Sequence, residues 1–372
     1  MAKASSVTEG IISDNEEEFF LDDSDIIDEI VLDDEDLPDV EDDDDEENVS
    51  EDMLYAEPDD AVDLFAHHSG PLYAVACSPK NATLVASGGG DNLAYLWNIG
   101  CEDRVNELKG HRDSVSCLSF SKDGQLLASG GLDACVKIWD IIGNLKCTFQ
   151  GPVEDHEFEW VRWHPSAHLV LAGCTDTTVW LWNADKGALL SVFCGHGNHV
   201  TCGGFTPDGY TKASALTCLT YTPDSNLALT GAENGVLSVA NIANEKVTSS
   251  FSSHSSSIQC IGLSLSMRWV ATGGADEKLV IWDLQHSACR NIFEYQDEIT
   301  CLNWLGESML VASGCGDGQI IVCDTRSGEH VRSFKGHSDK IQELAVSADN
   351  NFLVSVSEDG TARVFDISDF RC

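Results

Sequence analysis

From residue 61 onward, the chain consists of short segments in which apolar and polar residues alternate, separated by turns rich in Gly, Asp, Ser and Asn. Alternation of this kind predicts β-strands with one buried face. Residues 110–140 show the repeating unit most clearly: it opens with Gly-His, continues through short alternating segments and ends in Ile-Trp-Asp. Such a unit cannot bury its own apolar face, so it needs neighbours of the same kind.

The first apolar position of this unit recurs along the chain. It falls at Leu72, Val115, Phe158, Val200, Leu216, Ile258, Ile299 and Ile341. Most intervals are 41 to 43 residues, but the interval from Val200 to Leu216 is 16. This period, with Gly-His and Trp-Asp signatures, is typical of four-stranded propeller blades. The chain therefore resembles the WD-repeat β-propeller family, and the expected fold class is all-β.

Seven units are long enough to hold three strands, and an outer strand follows or precedes each of them. The three-strand units cover residues 72–98, 115–140, 158–183, 216–241, 258–283, 299–324 and 341–366. The first outer strand, residues 61–66, has no preceding unit to join. Resemblance to the family implies that it completes the last blade near residues 341–366, which would close the ring and remove open sheet edges.

The short interval marks a truncated repeat at residues 195–215. Either a 16-residue insertion interrupts a seven-bladed ring, or a blade has lost most of its strands. The second interpretation is favoured because Gly195 and His196 open the segment and a Pro-Asp-Gly turn follows at the usual distance. The expected architecture is seven complete blades plus the remnant of an eighth. An alternative transcript or a gene-model artefact could each produce such a loss.

Charge divides the chain into two parts. The formal net charge is −42, and residues 1–63 hold 28 acidic groups and one Lys. Residues 1–60 are therefore predicted to form a disordered acidic leader before a propeller at 61–372. The leader is either a solubilising tail or a segment whose Phe and Ile residues fold onto a basic, partly apolar surface. The charge argues against direct nucleic-acid binding and favours a basic protein partner.

Other compositional signals narrow the functional class. The chain shows no signal peptide and no membrane-spanning run of apolar residues, so we expect no membrane insertion and a location in the cytoplasm or the nucleus. Its 15 Cys are expected to be reduced, and five of them repeat one buried strand position. Phosphate-binding loops, zinc motifs and a nucleophile elbow are absent. We expect a monomer without catalytic activity, metal or cofactor.

Three units carry a His, a Ser or Thr, an Asp and a Trp at matching positions. They are His68, Ser87, Asp91 and Trp97; His111, Ser129, Asp133 and Trp139; and His254, Thr272, Asp276 and Trp282. A Ser-His-Asp hydrolase needs such a set once, whereas these sets follow the repeat. Resemblance to the family implies structural hydrogen-bond chains. Other units depart from the set, and we expect their blades to open more readily: Ala172, Asn234, Ala240, Tyr295, Cys323 and Phe365.

Acidic residues stand in two connections between blades. They are Glu154, Asp155, Glu157 and Glu159 in one connection, and Asp297 and Glu298 in the other. By analogy with the family, these connections face the surface on which propellers commonly bind partners. We interpret them as candidate contacts for a basic peptide; the alternative is an ordinary solvated loop.

Two segments narrow the resemblance. Residues 158–183, with Glu-Trp-x-x-Trp-His-Pro at 159–165, and the Gly-His…Pro-Asp-Gly segment at 195–209 look like the angio-associated migratory cell protein group. This resemblance implies a non-catalytic escort for a basic ribosomal protein during large-subunit assembly, as in a fungal relative of similar plan. The alternative is a scaffold or adaptor in signalling, cell migration or ubiquitin-ligase substrate recruitment.

Overall fold

The computed structural model describes residues 58–151, 156–209, 211–214, 216–244, 246–265 and 269–370. The predicted acidic leader therefore lies almost wholly outside the described residues. The described strands all belong to the compact unit Ala56–Cys372. Within the described ranges the chain forms thirty strands and a short 3-10 helix at Ser368–Phe370. None of the described helical structure is long or apolar enough to cross a membrane.

The first three blades follow one another in sequence. The first contains β2 (Leu72–Cys77), β3 (Leu84–Gly89), β4 (Ala94–Asn98) and β5 (Cys101–Leu108). The second contains β6 (Val115–Phe120), β7 (Leu126–Gly131), β8 (Cys135–Asp140) and β9 (Leu145–Gln150). The third contains β10 (Phe158–Trp163), β11 (Leu169–Cys174), β12 (Val179–Asn183) and β13 (Ala188–Phe193). Each blade is a four-stranded antiparallel sheet with its strands in chain order.

Three further blades repeat this plan after the truncated unit. The fourth contains β16 (Cys218–Tyr221), β17 (Leu227–Gly231), β18 (Val236–Asn241) and β19 (Lys246–Ser252). The fifth contains β20 (Ile258–Leu263), β21 (Trp269–Gly274), β22 (Lys278–Asp283) and β23 (Ala288–Glu294). The sixth contains β24 (Ile299–Trp304), β25 (Leu310–Cys315), β26 (Ile320–Asp324) and β27 (Glu329–Phe334).

The seventh blade joins the two ends of the propeller unit. It combines β28 (Ile341–Val346), β29 (Phe352–Ser357) and β30 (Ala362–Asp366) with β1 (Asp63–Phe65) from the start of the unit. Asp63 pairs with Val364, and Phe65 pairs with Ala362. The ring closure implied by the family resemblance is therefore present.

The truncated repeat forms a two-stranded hairpin, β14 (Cys202–Phe205) and β15 (Thr211–Ser214), with Cys202 opposite Ser214. The remnant lies in the ring, because β14 contacts β10 on one side and β16 on the other. The innermost strands of the seven blades and of the remnant all line one axial cavity of about 400 Å³. This arrangement confirms a propeller of seven complete blades plus a remnant.

Aromatic residues hold neighbouring blades together. The outer strand of a blade ends in an apolar residue that packs on the third strand of the next blade. Phe65 stacks on Trp97 with ring centroids 4.7 Å apart, and Phe149 stacks on Trp182 at 5.2 Å. Phe251 packs on Trp282 at 5.2 Å. At each of these three junctions, the later blade therefore covers the apolar face of the blade before it.

Candidate functional site

The structure brings the four side chains of each predicted set together. In the second blade, His111 Nδ1 lies 3.0 Å from Asp133 Oδ1 and His111 Nε2 lies 2.8 Å from Ser129 Oγ. Trp139 Nε1–H donates to the same Ser129 hydroxyl at 2.9 Å. The first blade (His68, Ser87, Asp91, Trp97) and the fifth blade (His254, Thr272, Asp276, Trp282) repeat the chain at 2.8–3.2 Å.

The direction of these hydrogen bonds follows from the donors. The indole N–H must donate to the hydroxyl oxygen, so the hydroxyl proton goes to His Nε2 and the Nδ1 proton goes to the carboxylate. Burial raises the pKa of Asp133, but the hydrogen bonds from His111 and from the Arg112 N–H outweigh it, and the pKa lies below its ordinary value. In the first blade, burial lowers the pKa of His68 despite its bond to Asp91. Both shifts favour a neutral imidazole beside a carboxylate.

Burial distinguishes these hydrogen-bonded sets from the Ser-His-Asp triad of a hydrolase. Ser87, Ser129 and Thr272 are 0% exposed, so no substrate carbonyl can reach their hydroxyl oxygens. Each hydroxyl also accepts the indole N–H of its Trp. The geometry is that of buried polar groups satisfying one another inside the blade.

Two blades contain variants of the chain. In the seventh blade, His337 bonds Asp359 at 2.8 Å and Ser355 at 2.7 Å, although Phe365 replaces the Trp. The matching spacing of His, Ser and Asp in the sequence was a sufficient signal for this set. In the sixth blade, the Tyr295 hydroxyl lies 2.6 Å from Ser313 Oγ and 3.3 Å from Cys323 Sγ. Tyr295 thus takes the place of His by reaching the hydroxyl directly.

Three charged side chains stand in the lining of the axial cavity. Glu159 and Glu343 line it together with Arg162, which lies further along β10 than Glu159. Burial raises the pKa of Glu159. Burial also raises the pKa of Glu343 to about 7, although its carboxylate accepts the Val75 N–H at 2.8 Å. Sequence reasoning missed Glu343, since a single Glu in a strand gives no pattern.

The predicted partner contacts have different environments. Glu157 is exposed, Glu159 lies 3.9 Å from His199 at a half-buried position, and the Glu298 carboxylate pairs with Lys340 at 2.6 Å. Asp297 Oδ1 accepts the Glu298 N–H at 2.7 Å. Within the described part of the chain, Glu157 and Asp297 form no ion pair. Glu154 and Asp155 lie outside the described residues.

Five cysteines repeat one position of the innermost strands. Cys117, Cys202, Cys218, Cys260 and Cys301 all line the axial cavity. Burial raises the pKa of Cys117, Cys202 and Cys301 to about 12, so these thiols stay protonated. The fourteen cysteines in the described part of the chain form no disulfide with one another, and His, Cys, Asp and Glu side chains form no metal-binding cluster there.

Family models match this architecture. The model "WD domain, G-beta repeat" matches residues 61–98, 102–140, 143–183 and 328–366, and that of the anaphase-promoting complex subunit 4 WD40 domain matches residues 263–345. The chain is a WD-repeat β-propeller protein. It is homologous to angio-associated migratory cell protein: the human protein is 28% identical over 352 aligned positions, which cover 83% of this chain and 80% of the relative. An uncharacterised WD repeat-containing protein of Schizosaccharomyces pombe is 26% identical over 98% of this chain and 99% of its own length.

Solved structures share the fold. Sqt1 of Chaetomium thermophilum, in a crystal structure bound to the N-terminus of the ribosomal protein L10, superposes with a TM-score of 0.75 at 19% identity over 83% of this chain and all of that chain. Sqt1 of Saccharomyces cerevisiae gives a TM-score of 0.75 at 20% identity over 84% of this chain. At these identities the likeness establishes the fold.

Proposed function

We propose that this chain is a non-catalytic escort that binds a basic ribosomal protein in the cytosol during assembly of the large subunit. The observation that carries the proposal is the excess of acidic over basic side chains in the lining of the axial cavity, two Glu against the single Arg162. Glu159 and Glu343 line this cavity together with the partly exposed ring of Tyr73. Carboxylates next to aromatic rings suit the charged heads and apolar stems of Lys and Arg.

Charge supports the same partner. A net charge of −42 attracts a basic protein over distances of about a Debye length, roughly 10 Å at 0.1 M salt, and speeds its capture. The acidic groups would also compete with RNA for the partner's Lys and Arg residues. The likeness to Sqt1, of which one structure holds the N-terminus of ribosomal protein L10, supports a ribosomal cargo.

The test is recovery of partners on the purified full-length chain. We expect basic ribosomal proteins to be enriched from a cell extract, and the binding to weaken as salt is raised because the attraction is screened. Glu159→Lys should reduce recovery severalfold. The matched control is Glu307→Lys, an equal charge change in the exposed turn between β24 and β25, at the opposite end of the innermost strands. Absence of ribosomal proteins, salt-independent binding or equal loss in both variants would contradict the proposal.

A scaffold or adaptor in signalling, cell migration or ubiquitin-ligase recruitment is the second candidate. The homology to angio-associated migratory cell protein and the match to an anaphase-promoting complex domain favour it. A scaffold of this kind should recover its partners after deletion of residues 1–55, because the propeller alone supplies the contacts. If ribosomal-protein binding instead collapses on this deletion, the scaffold is the weaker candidate.

A further inference from the structure

The outer strand of the third blade ends in an aromatic residue that is exposed. Phe193 pairs with Val179, just as Phe149 pairs with Val136 and Phe334 with Ile320. Phe149 is 4% exposed and Phe334 is 1% exposed, whereas Phe193 is 39% exposed. Equivalent aromatic residues are therefore buried at two other junctions, whereas the one at this junction is exposed.

Phe193 is exposed because the truncated blade lacks the third strand that would pack against it. At the preceding junction, Trp182 on the third strand β12 packs against Phe149. Of the strands that the structure describes between β13 and β16, only β14 and β15 are present, and β15 pairs only with β14. Two strands are thus lacking next to Phe193, which leaves a slot roughly 10 Å wide at the usual strand spacing.

The two walls of the slot differ in character. Leu181 and Phe193, which both keep exposed surface, form the wall on the third blade, and this wall is apolar. Val179 beside them is buried against Trp160 and Val200. The fourth blade presents Thr230 and Ala240, both partly exposed. Ala240 pairs with Ala228 as Trp139 pairs with Leu127, so it stands at the position of the Trp that packs on the preceding blade elsewhere. Neither wall fills the slot with its own side chains.

We propose that this slot binds an extended segment of a second protein, which adds as a β-strand beside β15 and places a large apolar side chain against Phe193. The complete junctions of this chain define the occupant: a strand with an aromatic residue at the Trp182 position. An open strand edge supplies backbone hydrogen bonds and an adjoining pocket supplies selectivity. The net charge of −42 favours basic residues at the ends of the segment. This proposal is independent of the escort function.

A second copy of the chain does not fit the slot. The edge of β15 is recessed behind the outer strands β13 and β19 by two strand widths, roughly 10 Å. Two such recessed edges cannot meet without collision between the neighbouring blades. All strands that the structure describes are also paired within their own sheets, so none is spare for exchange.

The test uses a lysine-flanked synthetic peptide with the sequence of residues 178–193, which contains β12 and β13 and no Cys. We expect saturable 1:1 binding to the full-length chain in calorimetry. Phe193→Asp in the chain, or alanine in place of Trp182 in the peptide, should weaken binding about tenfold or more, because a central aromatic contact dominates such an interface. The matched control is Val331→Asp on β27, an outer-strand residue that is 47% exposed at a complete junction. This change should leave peptide affinity unchanged.

Three outcomes would overturn the assignment. They are no binding of the peptide, equal binding by the wild type and Phe193→Asp, and a dimer in light scattering that Phe193→Asp converts to a monomer. The last result would identify a second copy as the occupant. Circular dichroism melting of both variants distinguishes lost binding from lost folding.

Discussion

Two junctions between neighbouring units of the ring are built from the same repeat. They differ in how far the following unit buries the outer strand of the blade before it. Between the second and third blades, Phe149 is sealed by Trp182, and Trp163 Nε1–H donates across the junction to the Ser119 carbonyl at 2.8 Å. His168 of the third blade also bonds Asp123 of the second blade at 2.9 Å. The contacts extend from the axis to the outer strand.

Between the third blade and the remnant, contacts involve the hairpin and the residues just before it. Trp160 Nε1–H donates to the Val200 carbonyl at 2.7 Å, and the Phe205 ring lies 5.0 Å from the His164 ring. Among the strands that the structure describes, no third strand of the remnant covers Phe193. At the junctions with Trp97, Trp182 and Trp282, the Trp on the third strand of the later blade packs on the outer strand of the earlier blade. At the remnant, two inner strands suffice to keep the ring closed at the axis.

The largest expected difference concerns the two Phe residues themselves. Phe149→Ala should lower the free energy of unfolding by about 3–5 kcal/mol, because it leaves a cavity against Trp182. Phe193→Ala should cost about 1 kcal/mol or less, since its ring is already partly exposed. Urea titration of both variants measures the two values. Equal losses would show that the remnant seals its junction as well as a complete blade does.

The hydrogen-bond chains sharpen the same contrast. Ser129→Ala removes the group shared by His111 and Trp139 and leaves both buried partners unsatisfied, so we expect a loss of about 2–3 kcal/mol. Thr230→Ala, at the matching position of the fourth blade where Ala240 replaces the Trp, should cost less than about 1 kcal/mol. Thermal unfolding in parallel compares them, and a similar loss in both would argue against the chain as a stabilising unit.

Glu343 links the seventh blade to the first, because its carboxylate accepts a hydrogen bond from the Val75 N–H. Its pKa is raised from 4.5 to about 7 in the folded state, so the folded state holds the proton more tightly. Its contribution is therefore most favourable below about pH 4.5 and declines as pH rises to about 7. Glu343→Gln should be more stable than wild type by about 1–2 kcal/mol at pH 8 and similar at pH 4. Glu307→Gln is the control, and a pH-independent difference would contradict the assignment.

His168 gives the smallest expected effect. Its hydrogen bonds to Asp185 and Asp123 raise its pKa, so the stabilisation is complete below about pH 6.5 and is lost as pH rises through the raised value. On the acid side, hydrogen bonds lower the pKa of Asp123 to about 2, so its contribution is lost only as pH falls toward that value. His168→Ala should cost about 0.5–1 kcal/mol at pH 6 and less at pH 9. An equal loss of stability at pH 6 and pH 9 would show that protonated His168 does not stabilise the fold through its carboxylate partners.

Repetition made the fold and the hydrogen-bond chains predictable, because each signal occurs several times in register. The period placed the blades, and the spacing of His68, Ser87 and Asp91 anticipated contacts that the structure shows. Features that occur once were not predictable. Glu343 reaches Val75 only because the ring closes, and the exposure of Phe193 depends on strands that are missing. Neither fact is visible in local sequence.

Hydrogen exchange of the native chain tests the central structural claim most directly. If the third strand of the next blade seals each junction, amides of β13 and of the fourth blade should exchange faster than those of β9 and the third blade's inner strands. The covered junctions should remain protected to the level of global unfolding. Uniform protection around the ring, or faster exchange at the Phe149–Trp182 junction than beside Phe193, would contradict the account.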